Sequence, residues 1–320
     1  MRKPLVIAHR GASGHRPEHT LASYELAIAQ GADFIEPDLV STRDGVLVAR
    51  HENEIGGTTD VAAHPEFASR RRTQLIDGQS FDGWFTEDFT LAELRTLRAR
   101  ERLPALRPAN TRFDGESTIP TFDEILALLA RVNASRASPV GVYPETKHPS
   151  HFRSIGLPLE DGLLDALGRQ SDALPVFIQS FETGNLRALR ERTSRPLVQL
   201  VELSGGPWDR RGTDYDALCT RAGLEEVATY ATAIGVHKQR VIPRDADGRL
   251  TRPSSLVADA HRAGLAVHAW TFRAENEFLP RELRRGESPA APGDLAAEIR
   301  AHVDAGIDGY FTDQPDLNRP

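Results

Sequence analysis

The chain has 320 residues, 39% of them hydrophobic and 27% charged, which supplies enough apolar side chain for a folded core and excludes an acidic disordered chain. Lys and Arg number 39 against 46 Asp and Glu, a net charge of -7, so a general affinity for nucleic acid or an anionic membrane is excluded for want of clustered positive charge. The single cysteine, Cys219, excludes an intrachain disulfide and a cysteine cage for zinc or iron-sulfur, leaving oxygen and imidazole as metal ligands.

Met1 leads almost at once into the apolar run Leu5 to His9, a strand candidate rather than the apolar region of a leader. No apolar stretch approaches the ~20 residues of a spanning helix. The expectation is a soluble, cytoplasmic chain, or a secreted or periplasmic one if a leader has been removed. A helical period over Leu21 to Gln30 is followed by a second strand over Phe34 to Leu39. Residues 52 to 118 then break the pattern, being rich in Gly, Thr, Arg and aromatics, with one helix opening at Thr90. Beyond them Thr121, with Glu124 three residues later, makes a capping box for the helix Ile125 to Val132. Strand candidates at Val140 to Glu145, Val176 to Phe181, Leu197 to Glu202, Ile234 to His237, Ala266 to Phe272 and Gly309 to Thr312 follow. Helical segments Leu163 to Arg169, Leu186 to Arg192, Leu256 to Ala263 and Leu295 to Ala305 alternate with them. Eight such units predict an α/β fold, a (β/α)8 TIM barrel, with a doubly wound open sheet as the alternative. Without residues 52 to 118 the chain is close to the ~250 residues of a plain barrel. They are therefore expected to form a small inserted subdomain above the C-terminal face of a single catalytic domain spanning 1 to 320.

Four polar clusters fall at the C-terminal ends of strand candidates or beside them, where barrel enzymes build their sites: His9-Arg10, Glu36-Pro37-Asp38, Glu145-Thr146-Lys147 and His51. Residues two apart on a strand share a face, so Glu36 lies with Asp38 and Glu145 with Lys147. Asp44-Gly45 is a hairpin signal. If those two residues are the loop, Arg43 faces Val46 and Asp38 faces His51; a bulge would shift the register by one. Three converging carboxylates repel one another unless a cation neutralises them, and oxygen ligands point to one divalent cation, Ca2+ or Mg2+. His9 and His51 suit an acid and base pair near neutral pH, and Arg10 and Lys147 suit an anionic substrate such as a phosphate.

The segments His9-Arg10-Gly11, Pro17-Glu18-His19-Thr20, Glu36-x-Asp38, Asp44-Gly45 leading to His51-Glu52, Thr58-Thr59-Asp60, Ile119-Pro120-Thr121-Phe122, Glu145-x-Lys147, Gln179-Ser180-Phe181, Ala269-Trp270-Thr271 and Phe311-Thr312-Asp313-x-Pro315-Asp316 occur in this order. Together they resemble the glycerophosphodiester phosphodiesterase family, in the branch that includes the bacterial periplasmic enzymes. The resemblance implies a barrel with an inserted small domain, a metal on Glu36, Asp38 and Glu145, a catalytic histidine pair at His9 and His51, and phosphate contacts from Arg10 and Lys147. It also implies cleavage of glycerophosphodiesters to sn-glycerol 3-phosphate and an alcohol, which the two histidines would carry through a cyclic 1,2-phosphate. Two positions depart from the family pattern: His19 stands where Asn is usual, and Glu52 where Asp is usual.

Trp270, Phe181 and Phe311 fall near strand ends and are expected to wall the glycerol carbons. The small-molecule substrate is the one expected partner, with no nucleic acid and no transmembrane segment. Competing readings are a lysophospholipase D or sphingomyelinase-D-like activity, for which Phe81, Trp84, Phe85 and Phe89 would form an apolar rim; a glycoside hydrolase; and a metal-dependent phosphodiester-binding protein that is no enzyme. His15, His64, His148, His151, His261, His268 and His302 are expected to be solvated or locally bonded, Gln179 and His237 to make local hydrogen bonds, and Cys219 to be a small buried hydrophobe on a helix.

Overall fold

A computed structural model describes residues 3–318. Strand β1 (Leu5–His9) is followed by β2 (Phe34–Glu36) and β3 (Asp38–Ser41), and β4 (Leu47–Ala49) folds back on β3. Residues 52–118 hold the hairpin of β5 (Arg72–Ile76) and β6 (Gln79–Gly83). Then come β7 (Gly141–Val142), β8 (Glu145–Thr146), β9 (Ile178–Ser180), β10 (Leu197–Val201), β11 (Ala233–His237), β12 (Ala266–Phe272) and β13 (Gly309–Thr312).

Two of the expected strands are interrupted, and the interruption has a simple cause. Pro37 separates β2 from β3 and Pro144 separates β7 from β8, because proline has no N–H to give the ladder. The register nevertheless runs through both breaks: Phe34 pairs with Gly141 and Ile35 with Val142, then Asp38 with Glu145. Tyr143 N donates to Ile35 O at 2.9 Å and Glu145 N to Pro37 O at 3.0 Å. With β2 and β3 counted as one stave, and β7 and β8 as another, eight parallel staves close a ring from β1 round to β13, which pairs back onto β1. The fold is the (β/α)8 barrel, not the open sheet.

Alternation along each stave divides the core in two. Ile7, Phe34, Tyr143, Val198, Ala233 and Phe311 fill the barrel interior, while neighbours such as Val6, Ala8 and Ile35 pack outward with the helices. The helix Phe122–Asn133 opens on a capping box in which Thr121 and Glu124 satisfy each other's backbone N–H, and Thr90 and Glu93 repeat the device for Leu91–Leu94. Cys219 ends the helix Tyr215–Leu218 and is half-buried, with Arg240 Nη1 3.6 Å from its sulfur, rather than a buried residue within a helix. Among the described residues no helix is long and apolar enough to cross a membrane.

The β3–β4 hairpin differs from the two-residue loop by one position. Ser41 pairs with Leu47 and Leu39 with Ala49, so Asp38 O accepts from Arg50 N at 2.9 Å and His51 lies one residue beyond. Gly45 takes a left-handed φ of 77° at the end of a three-residue loop, Arg43 to Gly45, the arrangement that adds a bulge to a hairpin. A Cβ at Gly45 meets nothing within 4 Å, so the cost of Gly45→Ala is the backbone conformation alone. Urea unfolding is expected to show a loss of about 1–2 kcal/mol.

Residues 52–118 give no strand to the barrel sheet among the described residues. Trp84, Phe85 and Phe89 are buried, Phe67 and Phe89 meeting edge to face at 5.0 Å. They are buried in the protein's hydrophobic core rather than forming an apolar rim, and of the four aromatics considered for that rim, Phe81 is the one that reaches the cleft described next.

Candidate active site

The parallel staves deliver their C-terminal ends to a cleft of about 820 Å³ lined by His9, Arg10, Glu36, Asp38, His51, Glu145 and Lys147. Every residue expected to bind metal, move a proton or hold phosphate is thus in one hollow. His9 ends β1, Glu36 and Asp38 flank the Pro37 break, Glu145 opens β8, and His51 follows β4. Glu52, Asp77, Gln79 and Phe81 from 52–118 line the same cleft.

One oxygen from each of Glu36, Asp38 and Glu145 lies within 4.8 Å of the others, and all three residues are buried. Burial pushes the Glu36 carboxyl well above its usual range, reinforced by the charges of Asp38 and Glu145. Burial likewise raises Glu145, to about 8, against the pull of Lys147. Burial would raise Asp38 too, but Lys147 and His19 outweigh it and hold that carboxyl well below normal. Neighbours hold the cluster in place: Lys147 Nζ is 2.8 Å from Glu145, Gln179 Nε2 donates to Glu36 Oε1 at 2.6 Å, and Arg10 N donates to Glu36 Oε2 at 3.2 Å. Asp38 Oδ1 is buried with no hydrogen-bond partner among the described residues. Three buried carboxylates, two of them reluctant to ionise and one with an orphaned oxygen, form an all-oxygen cluster that could hold a hard divalent cation.

The two histidines share one design. His9 Nδ1 bonds Asp313 Oδ1 at 2.6 Å, and His51 Nδ1 bonds Glu52. An ionised carboxylate only accepts, so each ring carries its proton on Nδ1 and keeps the Nε2 lone pair. Burial, then the charge of Arg10, lowers His9 to about 4 despite Asp313. Burial with Arg10 and Lys147 puts His51 well below its ordinary value despite Glu52. Both rings are neutral at pH 7, the state a general base needs.

The two departures from the family pattern sit in contact with this machinery. His19 is buried, at a left-handed φ of 53°, with Nε2 3.0 Å from Asp38 Oδ2 and Nδ1 2.7 Å from the Tyr24 hydroxyl. Glu52 is the partner of His51. Nothing in the charge or spacing of Asp313 marks it as a histidine's partner, although it stands in the Phe311-Thr312-Asp313 run at the end of the last stave.

Phe181 and Trp270 face the cleft and meet at 5.9 Å, and Lys147 Nζ lies 5.9 Å from the Phe181 ring. Phe311 touches the cleft floor, but it is 1% exposed and packs on Tyr143 inside the barrel, so its main partners are core residues. Of the histidines expected to bond locally, His148 and His237 also line the cleft: His148 Nδ1 bonds Asp77 at 2.5 Å, and His237 Nδ1 accepts from Gln239 N at 3.3 Å. His268 is buried against the Tyr143 hydroxyl at 2.8 Å, and His302 against backbone carbonyls.

The model of the glycerophosphoryl diester phosphodiesterase family matches residues 9–317. The chain belongs to that family. A glycerophosphodiester phosphodiesterase of Arabidopsis thaliana is 36% identical over 97% of this chain and 84% of its own length, and one of Haemophilus influenzae is 29% identical over 98% and 88%. Among solved structures, an Oleispira antarctica phosphodiesterase in complex with the product sn-glycerol-3-phosphate superposes with a TM-score of 0.64 at 22% identity, covering 98% of this chain and 94% of that one. A Thermotoga maritima glycerophosphodiester phosphodiesterase superposes with a TM-score of 0.55 at 16% identity, covering 99% and 97%. At these identities the superpositions speak for the fold.

Proposed function

We propose that this chain hydrolyses glycerophosphodiesters to sn-glycerol 3-phosphate and an alcohol. The observation that carries the reading is the meeting, in one cleft of a member of this family, of three carboxylates with two carboxylate-backed imidazoles and two cationic side chains. Glu36, Asp38 and Glu145 would hold one Ca2+ or Mg2+, whose oxygen preference matches the donor set and the orphaned Asp38 Oδ1. When bound, such an ion neutralises phosphate charge and makes a nearby hydroxyl more acidic.

The chain's own residues do the rest. Arg10 and Lys147 hold the non-bridging phosphate oxygens. One imidazole Nε2 takes the proton of the glycerol 2-hydroxyl as its oxygen forms a bond to phosphorus. The other imidazole, which takes up a proton on Nε2 from solvent as the anionic substrate binds, gives that proton to the alcohol oxygen as its bond to phosphorus breaks, leaving a cyclic 1,2-phosphate. Water then opens the ring with the proton roles reversed. Phe181 and Trp270 wall the glycerol carbons, Phe311 supporting them from the barrel. Residues 52–118 act as an inserted subdomain over the C-terminal face, giving Glu52, Asp77, Gln79 and Phe81 to the cleft.

A coupled assay for glycerol 3-phosphate release tests the reading. Glycerophosphocholine is expected to be cleaved, with activity lost in EDTA and restored by Ca2+ or Mg2+, and lysophosphatidylcholine is expected to be a poor substrate because the aromatics Trp84, Phe85 and Phe89 are buried. Release that ignores EDTA, or preference for the lipid-tailed substrate, would overturn it.

A further inference from the structure

Each carboxylate behind an imidazole is itself gripped by an arginine, and both arginines come from one short stretch of the segment 52–118. Arg102 donates from Nη1 and Nη2 to Glu52 at 3.1 and 2.6 Å, and from Nε and Nη2 to Glu18 at 2.7 Å each. Glu18 in turn accepts from Arg10 Nη1 at 3.0 Å. Arg107 donates from Nη2 to Asp313 Oδ2 at 2.5 Å, from Nε to Glu275 Oε1 at 2.5 Å and from Nη1 to the Ser13 carbonyl at 2.9 Å.

The stretch between them is tied down from both sides. Buried Glu101 accepts from Leu103 N at 2.8 Å and from Asn110 Nδ2 at 3.0 Å. Arg107 N donates to Leu103 O at 2.8 Å, closing a turn that presents both guanidinium groups to the barrel.

We propose that residues 101–110 are a positioning element for catalysis, in which Arg102 orients His51 through Glu52 and Arg107 orients His9 through Asp313. This rests on the two-histidine reading above and deepens it. The physical reason is tautomer control. A carboxylate kept ionised and fixed by a guanidinium accepts from Nδ1 and leaves Nε2 to the substrate, whereas one free to rotate or to take a proton allows the other tautomer. Bidentate guanidinium pairs fix direction as well as charge.

The two arms are not equivalent. Asp313 has a second cation, Arg273 Nε at 2.9 Å, while among the described residues Arg102 alone bridges Glu52 and Glu18. Arg102→Gln is therefore expected to lower kcat by roughly 10- to 100-fold, the usual range for a partner behind a functional ligand, and to raise KM through Glu18 and Arg10. Arg107→Gln is expected to lower kcat less and to leave KM within about twofold, because Asp313 keeps Arg273.

The test is a double-mutant cycle of Arg102→Gln with Glu52→Gln, read by kcat, together with nitrogen-15 imidazole spectra of the wild type and both arginine variants. If Arg102 acts through Glu52, the double variant turns over no more slowly than Glu52→Gln alone, and the His51 signal of Arg102→Gln shows mixed tautomers; Arg107→Gln shifts the His9 signal the same way but less, because Arg273 stays on Asp313. Multiplying kcat losses with unchanged spectra would reduce the stretch to a structural strap and overturn the proposal. If Arg102→Gln does not fold, Arg102→Lys, which keeps the charge but not the fork, is measured instead, with the same expectations and the same contrary result. His51→Ala separates the two levels. Full turnover in that variant defeats the two-histidine reading, while an inactive His51→Ala beside a fully active Arg102→Gln defeats the positioning proposal alone.

Discussion

His9→Ala and His51→Ala each lower kcat for a glycerophosphodiester by about 10²- to 10⁴-fold, the range that a positioned acid or base supplies. The expectation follows from geometry before chemistry. Both rings line the cleft, both carry a carboxylate on Nδ1, and both are neutral at pH 7. In the proposed mechanism one neutral ring would serve as base, and the other would become the acid by receiving a proton, which the phosphate's negative charge favours. Circular dichroism and melting temperature are expected to stay near wild type, since each ring bonds a carboxylate that retains an arginine. Steady-state kinetics of folded variants check this, and full turnover in either variant contradicts it.

Adding Ca2+ or Mg2+ to EDTA-treated protein raises its melting temperature, and the rise is larger at pH 8 than at pH 5. A ligand at 100 times its Kd stabilises the folded state by about 2.7 kcal/mol. The sign of the pH dependence comes from Glu145, whose carboxyl is raised to about 8 in the fold, first by burial and then by Asp38 against the pull of Lys147. A group raised on folding contributes stability that is fully present below its unfolded value, about 4.3 for Glu, and is lost as pH climbs through 8. Over that window the metal-free protein sheds the benefit of holding protons among its carboxylates, while a cation needs them ionised and competes with protons less as pH rises. Glu36→Gln replaces an anionic ligand with a neutral carbonyl that cannot balance the cation's charge, so the metal-induced shift is expected to fall sharply without the metal-free protein losing its fold. Differential scanning calorimetry with and without the ion at both pH values reads this directly. A shift that ignores pH, or is undiminished in Glu36→Gln, places the ion elsewhere.

Strand ends were the legible part of the site. Apolar runs each ending in His, Glu, Asp or Lys marked the barrel's C-terminal mouth, and the structure gathers those side chains there. The hairpin was legible in kind but not in register. Asp44-Gly45 fits a two-residue loop, whereas Gly45 closes a three-residue one, and sequence alone does not choose between them. Composition alone does not place Trp84, Phe85 and Phe89: an aromatic-rich segment looks the same whether its rings face a lipid or the protein interior.

The supports behind the histidines were hidden for another reason. Arg107 meets Asp313 across 206 residues and Arg102 meets Glu18 across 84, with no period or spacing to announce either pair. In a sequence with 39 Lys and Arg, a guanidinium that orients an active-site carboxylate cannot be told from a solvated one until the fold brings the two together. His19 is a related case. Its imidazole reads as an isolated departure in the chain, yet it meets Asp38 at 3.0 Å.

Glu36, Asp38 and Glu145 are proposed to hold one cation in the cleft that His9 and His51 line. Anomalous diffraction from crystals soaked in Mn2+, an oxygen-seeking stand-in for Mg2+, tests it most directly. One strong peak bonded to oxygens of all three carboxylates is expected. A map with no peak among them, or with its strongest peak on other residues, contradicts it.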